Sequence, residues 1–283
     1  MSVGSGERGL LVSDDDGVRT VTLNRPERKN ALDWPAWCAL REILEDTTRS
    51  GGPRALVLTG AGGAFCAGAD ISKPDPRHPA DKMRILSDVA IALHELPIPT
   101  MAKVTGVAVG AGWNLALGCD LVAATPEARF SQIFARRGLS MDLGGSWLLP
   151  KLVGLQQAKR LALLAEMIDA TQACDLGLVT WVVDATEIDA FVDEHARRLA
   201  DGPPVALAQI KSLLNEGADR SLREALAGES RAQVINFGTA DVGNAYAAFA
   251  AKTDPVFTGR WAVAPPGSPT DGDGHTRMGE RDA

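Results

Sequence analysis

Gly60-Ala-Gly-Gly-Ala-Phe-Cys-Ala-Gly-Ala-Asp70 is the stretch on which the reading of this chain turns, and Val109-Gly-Ala-Gly-Trp-Asn114 is its counterpart further along. Each follows an apolar run suited to a buried strand, residues 55–59 and 100–109, and each leads toward a helical pattern. Small side chains in such turns let a ligand approach the main chain closely. A helix N-terminus adds partial positive charge. The pair therefore suits two backbone N–H groups aimed at one oxygen. One such oxyanion donor is worth about 10²–10³ in rate.

Outward from these turns, strands and helices alternate. Residues 10–13 and 18–23 predict two strands joined by Asp14-Asp-Asp-Gly17, and residues 24–30 a polar loop. Asp33 can cap a helix that tolerates Pro35 in its first turn and buries Trp37, Leu40 and Leu44 on one face. A Pro-rich loop over 72–80 precedes a helix over 81–96, then a short helix over 113–118 and a strand over 120–124. From Leu155 the chain turns helical, apart from the apolar run Val182-Val183. Gly202-Pro-Pro204 separates a core over 9–201 from a C-terminal helical region over 202–262. Residues 263–283, rich in Gly, Pro and Asp, predict a disordered tail. Alternating strands and helices imply βαβ units and an α/β class. Periodicity carries the reading no further.

Composition removes several function classes. A formal net charge of −7 argues against nucleic-acid binding, while leaving room for a small anion on a local basic patch. No apolar run approaches the roughly 18 residues of a membrane span, and residues 1–8 lack signal-peptide character. A cytoplasmic protein with no membrane partner is expected. Cys38, Cys66, Cys119 and Cys174 show no CxxC spacing and read as reduced, mostly buried thiols.

The usual catalytic motifs fail. Gly60-x-Gly62 lacks the third Rossmann glycine, and no Gly-Lys-Ser/Thr follows a glycine turn, so no nucleotide cofactor is expected. His78, His94, His195 and His275 read as solvated or structural, and no His/Cys cluster points to a metal. Asp142 stands apart, as a lone acid between apolar residues and glycines in Gly138-Leu-Ser-Met-Asp-Leu-Gly-Gly-Ser-Trp147. Desolvation there would raise its pKa toward a range useful for proton transfer. It could equally cap a helix over 144–149, and spacing leaves both roles open. Asp70 reads as a cap. Arg25, Arg28 and Lys29, with Lys252 and Arg260, stand out in an acidic chain as surface charge or phosphate contacts.

Taken in order, four segments resemble the crotonase, or enoyl-CoA hydratase/isomerase, family. They are Asn24-Arg-Pro-Glu-Arg-Lys-Asn-Ala-Leu32, Ala64-Phe-Cys-Ala-Gly-Ala-Asp-Ile71, residues 108–120, and residues 248–260. The resemblance implies a spiral of ββα units with a C-terminal helical trimerisation region, commonly assembled as a homotrimer or dimer of trimers. It implies an acyl-CoA substrate, with coenzyme A entering only as part of the thioester. By position, Ala69 and Ala111 become the two donors. Arg28 and Lys29 fall where the family contacts the CoA nucleotide. Ala67, Asp70 and Ile71 line the thioester and pantetheine path, and Lys252 and Phe257 close the CoA site, often from an adjacent subunit. Gly112 and Trp113 lie beside the second donor, and Trp113 and Trp147 are expected to shape an apolar pocket.

The departures bear on the reaction. At the two positions where typical hydratases carry glutamates, this chain has Asn114 and Phe134. Neither exchanges a proton at neutral pH. Asp142 falls where some isomerase members keep their single acid/base. The expectation is an acyl-CoA isomerase that shifts a double bond or rearranges a ring through an enolate. A hydratase with an atypical acid, or an acyl-CoA-binding protein without activity, are the alternatives.

Overall fold

The computed structural model describes residues 8–72, 76–217 and 219–262. The tail expected over 263–283 therefore lies outside the described residues, as do residues 73–75 of the Pro-rich stretch.

Strands β1 (Leu10–Asp15) and β2 (Val18–Leu23) form an antiparallel hairpin, with Leu10 opposite Leu23. From β2 the main sheet continues in parallel through β3 (Ala55–Gly60), β4 (Thr100–Val104), β6 (Leu121–Ala124) and β9 (Trp181–Val182). Parallel strands covered on both faces read as continuous apolar runs. In β3, residues 55–59 are all buried. Its two faces serve different helices. Leu56 and Leu58 join Trp37, Leu40 and Leu44 of α1 (Trp34–Ser50) and Leu86, Val89 and Leu93 of α2 (Pro79–His94). Ala55 and Val57 instead meet Ile188, Val192, Ala196 and Ala200 of α6 (Ile188–Asp201). Each large apolar side chain fully buried here contributes about 1.5–3 kcal/mol. Asp33 caps α1 as expected, accepting from the Ala36 N–H at 3.0 Å.

The strand expected over 100–109 is two strands. The chain turns at Gly106 (φ 63), and β5 (Val107–Val109) leaves for a second sheet shared with β7 (Arg129–Ser131) and β8 (Ile168–Asp169). Thr105-Gly106 was the one break in the run that could have marked this transfer. Cys66 adds a parallel bridge to Ala108 at the open edge of this sheet. Successive circuits thus place one segment in each sheet and close with a helix, notably α3 (Ala111–Leu117) and α4 (Gly145–Leu164). The architecture is a spiral of ββα units. Helix α4 begins at Gly145, where a helix over 144–149 was allowed for, and breaks at Gly154 (φ 74, ψ 160), just before the expected helical onset at Leu155.

Short α5 (Ala170–Asp175) leads to β9 and α6, after which α7 (Pro204–Gly217), α8 (Leu222–Phe237) and α9 (Ala240–Ala251) complete the described chain. Asp241 is buried and ties the final segment down, accepting from the Thr258 and Gly259 N–H groups at 2.7 and 2.9 Å. Arg54, just before β3, donates to the carbonyls of Phe257 and Gly202. The C-terminal segment therefore sits at the end of the sheet opposite the two glycine turns.

Candidate active site

The loop over 24–32 assembles the first turn. Lys29 and Asn30 adopt consecutive left-handed conformations (φ 51 and 56) that carry the buried Asn30 side chain inward. Its amide donates to the carbonyls of Ala61 and Ala64 at 2.8 and 2.6 Å and accepts from the Arg25 N–H. The turn is then sewn to the second one. The Phe65 and Cys66 N–H groups donate to the Val107 carbonyl, and the Val109 N–H donates back to Cys66.

Alternation of an extended backbone explains which amides remain free. The Gly68 carbonyl accepts from Leu32, and the Asp70 N–H donates to Leu32, so both face the 29–32 segment. The Ala69 N–H lies between them and faces the opposite way. Ala111 is the first residue of α3, where an N–H has no intrahelical partner. Among the described residues, no group accepts from either amide. Gly68 (φ 88) brings them together, because a Cβ there would stand 3.1 Å from the Val109 carbonyl and 3.5 Å from the Ala111 nitrogen.

Both donors open into a cavity of about 440 Å³. It brings together Arg28, Lys29, Ala67, Ala69, Asp70, Ile71, Ala111, Phe134 and Asp142, all singled out in the sequence. Arg28 and Lys29 are exposed at its mouth, and so is Arg137. Arg137, Ile133, Leu139 and Met167 were not singled out, although the Arg136-Arg137 pair just after Phe134 was a legible signal for the first of them.

Two carboxylates line the cavity, in contrasting states. Asp70 does not cap a helix. Its side chain accepts from the Ser72 N–H at 3.0 Å and from Arg25 at 2.9 Å, and these contacts hold its pKa down at about 2. Arg25, which also donates to the Ala31 carbonyl at 2.6 Å, is engaged in these internal contacts. Asp142 is different. The N-cap of α4 is Gly144 with no side-chain cap, so of the two roles left open by spacing Asp142 does not take that of helix cap. Its Oδ1 is buried without a partner, and desolvation pushes its pKa up to about 6.

Five further residues from the sequence reading lie elsewhere. Trp113 is fully buried against Phe130, with ring centroids 5.5 Å apart, and belongs to the core. Gly112 lies where a Cβ would meet the Cys66 carbonyl at 2.3 Å, so its part is to let the turns touch. Asn114 lines a separate apolar cavity of about 220 Å³ with Leu143, Trp147 and His94. Its amide donates to the Asp142 carbonyl at 2.9 Å and accepts from Gln132 at 2.8 Å. Lys252 is exposed just after α9, and Phe257 is anchored through Arg54, both remote from the cavity within one chain. All four cysteines are free, with Cys66 and Cys119 buried.

Comparison with known proteins bears on this geometry. The family model described as enoyl-CoA hydratase/isomerase matches residues 13–260. The 1,2-epoxyphenylacetyl-CoA isomerase of Escherichia coli is 39% identical over 258 residues, covering 89% of this chain and 98% of that protein. The short-chain-enoyl-CoA hydratase of Clostridium acetobutylicum is 34% identical over 247 residues, covering 86% and 95%. The crystal structure of an enoyl-CoA hydratase from Polaromonas sp. JS666 superposes with a TM-score of 0.83 at 33% identity, covering 88% of this chain and 99% of that one.

Proposed function

Because the chain belongs to the enoyl-CoA hydratase/isomerase family, we propose that it is an acyl-CoA isomerase with Asp142 as its single acid/base. The observation that carries this reading is the state of the carboxylates in the cavity. Asp70 is committed to Arg25, whereas Asp142 is half-buried, with its Oδ1 buried and unpartnered and its pKa pushed up to about 6 by desolvation.

In this mechanism the Ala69 and Ala111 N–H groups hold the thioester oxygen. The Asp142 carboxylate removes a proton from C2 of a 3-enoyl thioester, and the C–H electron pair becomes an enolate whose oxygen charge the two amides stabilise. The neutral Asp142 then returns that proton to C4. The enolate collapses, the double bond ends between C2 and C3, and the carboxylate is restored. One carboxyl suffices because no atom is gained or lost. Hydration would need a second group to position and deprotonate water. The glutamate positions of typical hydratases hold Asn114, with both amide ends engaged, and Phe134. Arg28, Lys29 and Arg137 supply positive charge for the CoA phosphates at the mouth of the cavity.

The test is turnover of 3-enoyl-CoA and ring-epoxide aromatic CoA thioesters by purified protein. Asp142→Asn should cost about 10²–10⁴-fold in kcat, the range for losing a general acid/base. Undiminished turnover by Asp142→Asn removes the residue from the mechanism. Hydration of crotonyl-CoA at a rate exceeding isomerisation would favour the hydratase reading instead.

A further inference from the structure

Asp142 has an obvious alternative to lying in the cavity. It stands two residues ahead of the N-cap of α4, where a carboxylate ordinarily turns to accept from first-turn amides, although the Gly145 and Trp147 N–H groups here donate to the Asp142 and Gly144 carbonyls. The Asp142 carboxyl does not turn that way, and the main chain around it is held in an uncommon shape. Leu143 (φ 49) and Gly144 (φ 76) are consecutive left-handed residues, and Leu143 is buried. A non-glycine residue in that region costs roughly 1 kcal/mol or more and persists where its surroundings over-determine it.

The restraint comes from two buried amides. Asn114, 1% exposed, donates through Nδ2 to the Asp142 carbonyl at 2.9 Å, a carbonyl that also accepts from the Gly145 N–H at 3.0 Å. Gln132, fully buried, donates through Nε2 to Asn114 Oδ1 at 2.8 Å. This contact fixes the sense of the Asn114 amide, because turning it over would oppose two donors on one side and two acceptors on the other. A glutamate at position 114 would set a carboxylate against the Asp142 carbonyl, and an aliphatic residue would leave that carbonyl with a single donor.

We propose that Gln132 and Asn114 are positioning residues that aim Asp142, gripping its main-chain carbonyl so that the carboxyl stays in the thioester cavity and does not turn back to cap α4. Only the kinetic part of this proposal rests on the isomerase reading. The charged groups sharing the cavity with Asp142 are Arg28, Lys29, Arg137 and the Asp70 carboxylate paired with Arg25.

The experiment uses full-length protein carrying 13C-carboxyl-labelled aspartate, with the Asp142 signal assigned by its absence in Asp142→Asn. In the wild type it should titrate near pH 6. In Asn114→Leu and Gln132→Met the midpoint should drop toward the ordinary aspartate value of about 4, as the carboxyl turns toward the helix amides. For 3-enoyl-CoA, kcat should fall about 10²-fold, with KM changing less than about threefold. A purely structural part would lower Tm and leave both the midpoint and kcat where they were. That result in folded Asn114→Leu overturns the proposal. Should Asn114→Leu not fold, Gln132→Met, which retains Asn114 but frees its amide to turn, decides alone. If the wild type turns over no isomerase substrate, the isomerase reading fails, while the titration still decides the positioning.

Discussion

Gly68 and Ala111 stand so close that a methyl group on Gly68 would lie 3.5 Å from the Ala111 amide nitrogen and 3.1 Å from the Val109 carbonyl. The left-handed backbone of Gly68 is therefore what sets the two free amides side by side. A side chain at this position strains its own φ of 88 and wedges the two turns apart at once.

Gly68→Ala should cost about 1–3 kcal/mol in stability and at least 10²-fold in kcat, roughly the worth of one displaced oxyanion donor. Thermal melts and steady-state kinetics on the same preparation check both numbers. Wild-type kcat in Gly68→Ala would show that the turn does not set the donor geometry.

The activity should follow the ionisation of Asp142. Proton removal needs the carboxylate, so kcat/KM should fall tenfold per pH unit as pH drops below about 6. Asp142→Asn should lose that limb. A pH–rate profile with its acid limb near 4 would contradict the buried setting of the carboxyl.

Stability should respond in the opposite sense. The folded pKa of Asp142, about 6, lies above its ordinary value of 3.8. The folded state thus binds more protons across that window, and the contribution present below pH 3.8 is lost as pH rises through 6. Removing the charge should therefore stabilise the protein at pH 8. The gap between the two values, at about 1.4 kcal/mol per pH unit, caps the gain at about 3 kcal/mol. Asp142→Asn should melt several degrees above wild type at pH 8 and within a degree or two of it at pH 4.

Arg137 should matter for binding rather than for chemistry. Arg137→Ala removes an exposed cation from the cavity mouth, so KM for an acyl-CoA should rise about five- to tenfold with kcat unchanged, and less so in high salt. Titration at low and high ionic strength separates this from a packing effect.

We also expect assembly through the C-terminal helices as a homotrimer or dimer of trimers. Leu214, Leu222, Leu226, Val234, Phe237 and Phe249 are exposed on α7, α8 and α9, more apolar surface than a lone domain usually shows. Light scattering should report a multiple of the 29.8 kDa chain, and Val234→Glu should reduce it.

Much of the architecture was legible because it rests on local chemistry. The apolar runs at 55–59 and 120–124, the Asp33 cap and the glycine turns each declare themselves within a few residues, and all appear in place. Gly106 marked a break between β4 and β5, but not the second sheet, since an apolar strand looks the same whichever sheet receives it. The early start of α4 showed only as a helix over 144–149 that Asp142 could have capped, because Trp147, Leu148 and Leu149 share no polar face that would betray a helical period. Ala69, Ala111 and Asp142, singled out from the sequence, line one cavity, whereas Trp113 proved to be core and Arg25 an internal tie to Asp70.

Residue order alone was enough to establish two glycine turns, one isolated acid and the absence of glutamate at positions 114 and 134, since these are statements about residue type and spacing. Folding decided whether that acid would cap a helix or remain unpaired, and which basic groups stayed free for a ligand. Those outcomes depend on partners distant in the chain, Asn114 for Asp142 and Asp70 for Arg25, brought within 3 Å only when the circuits of the spiral close on one another.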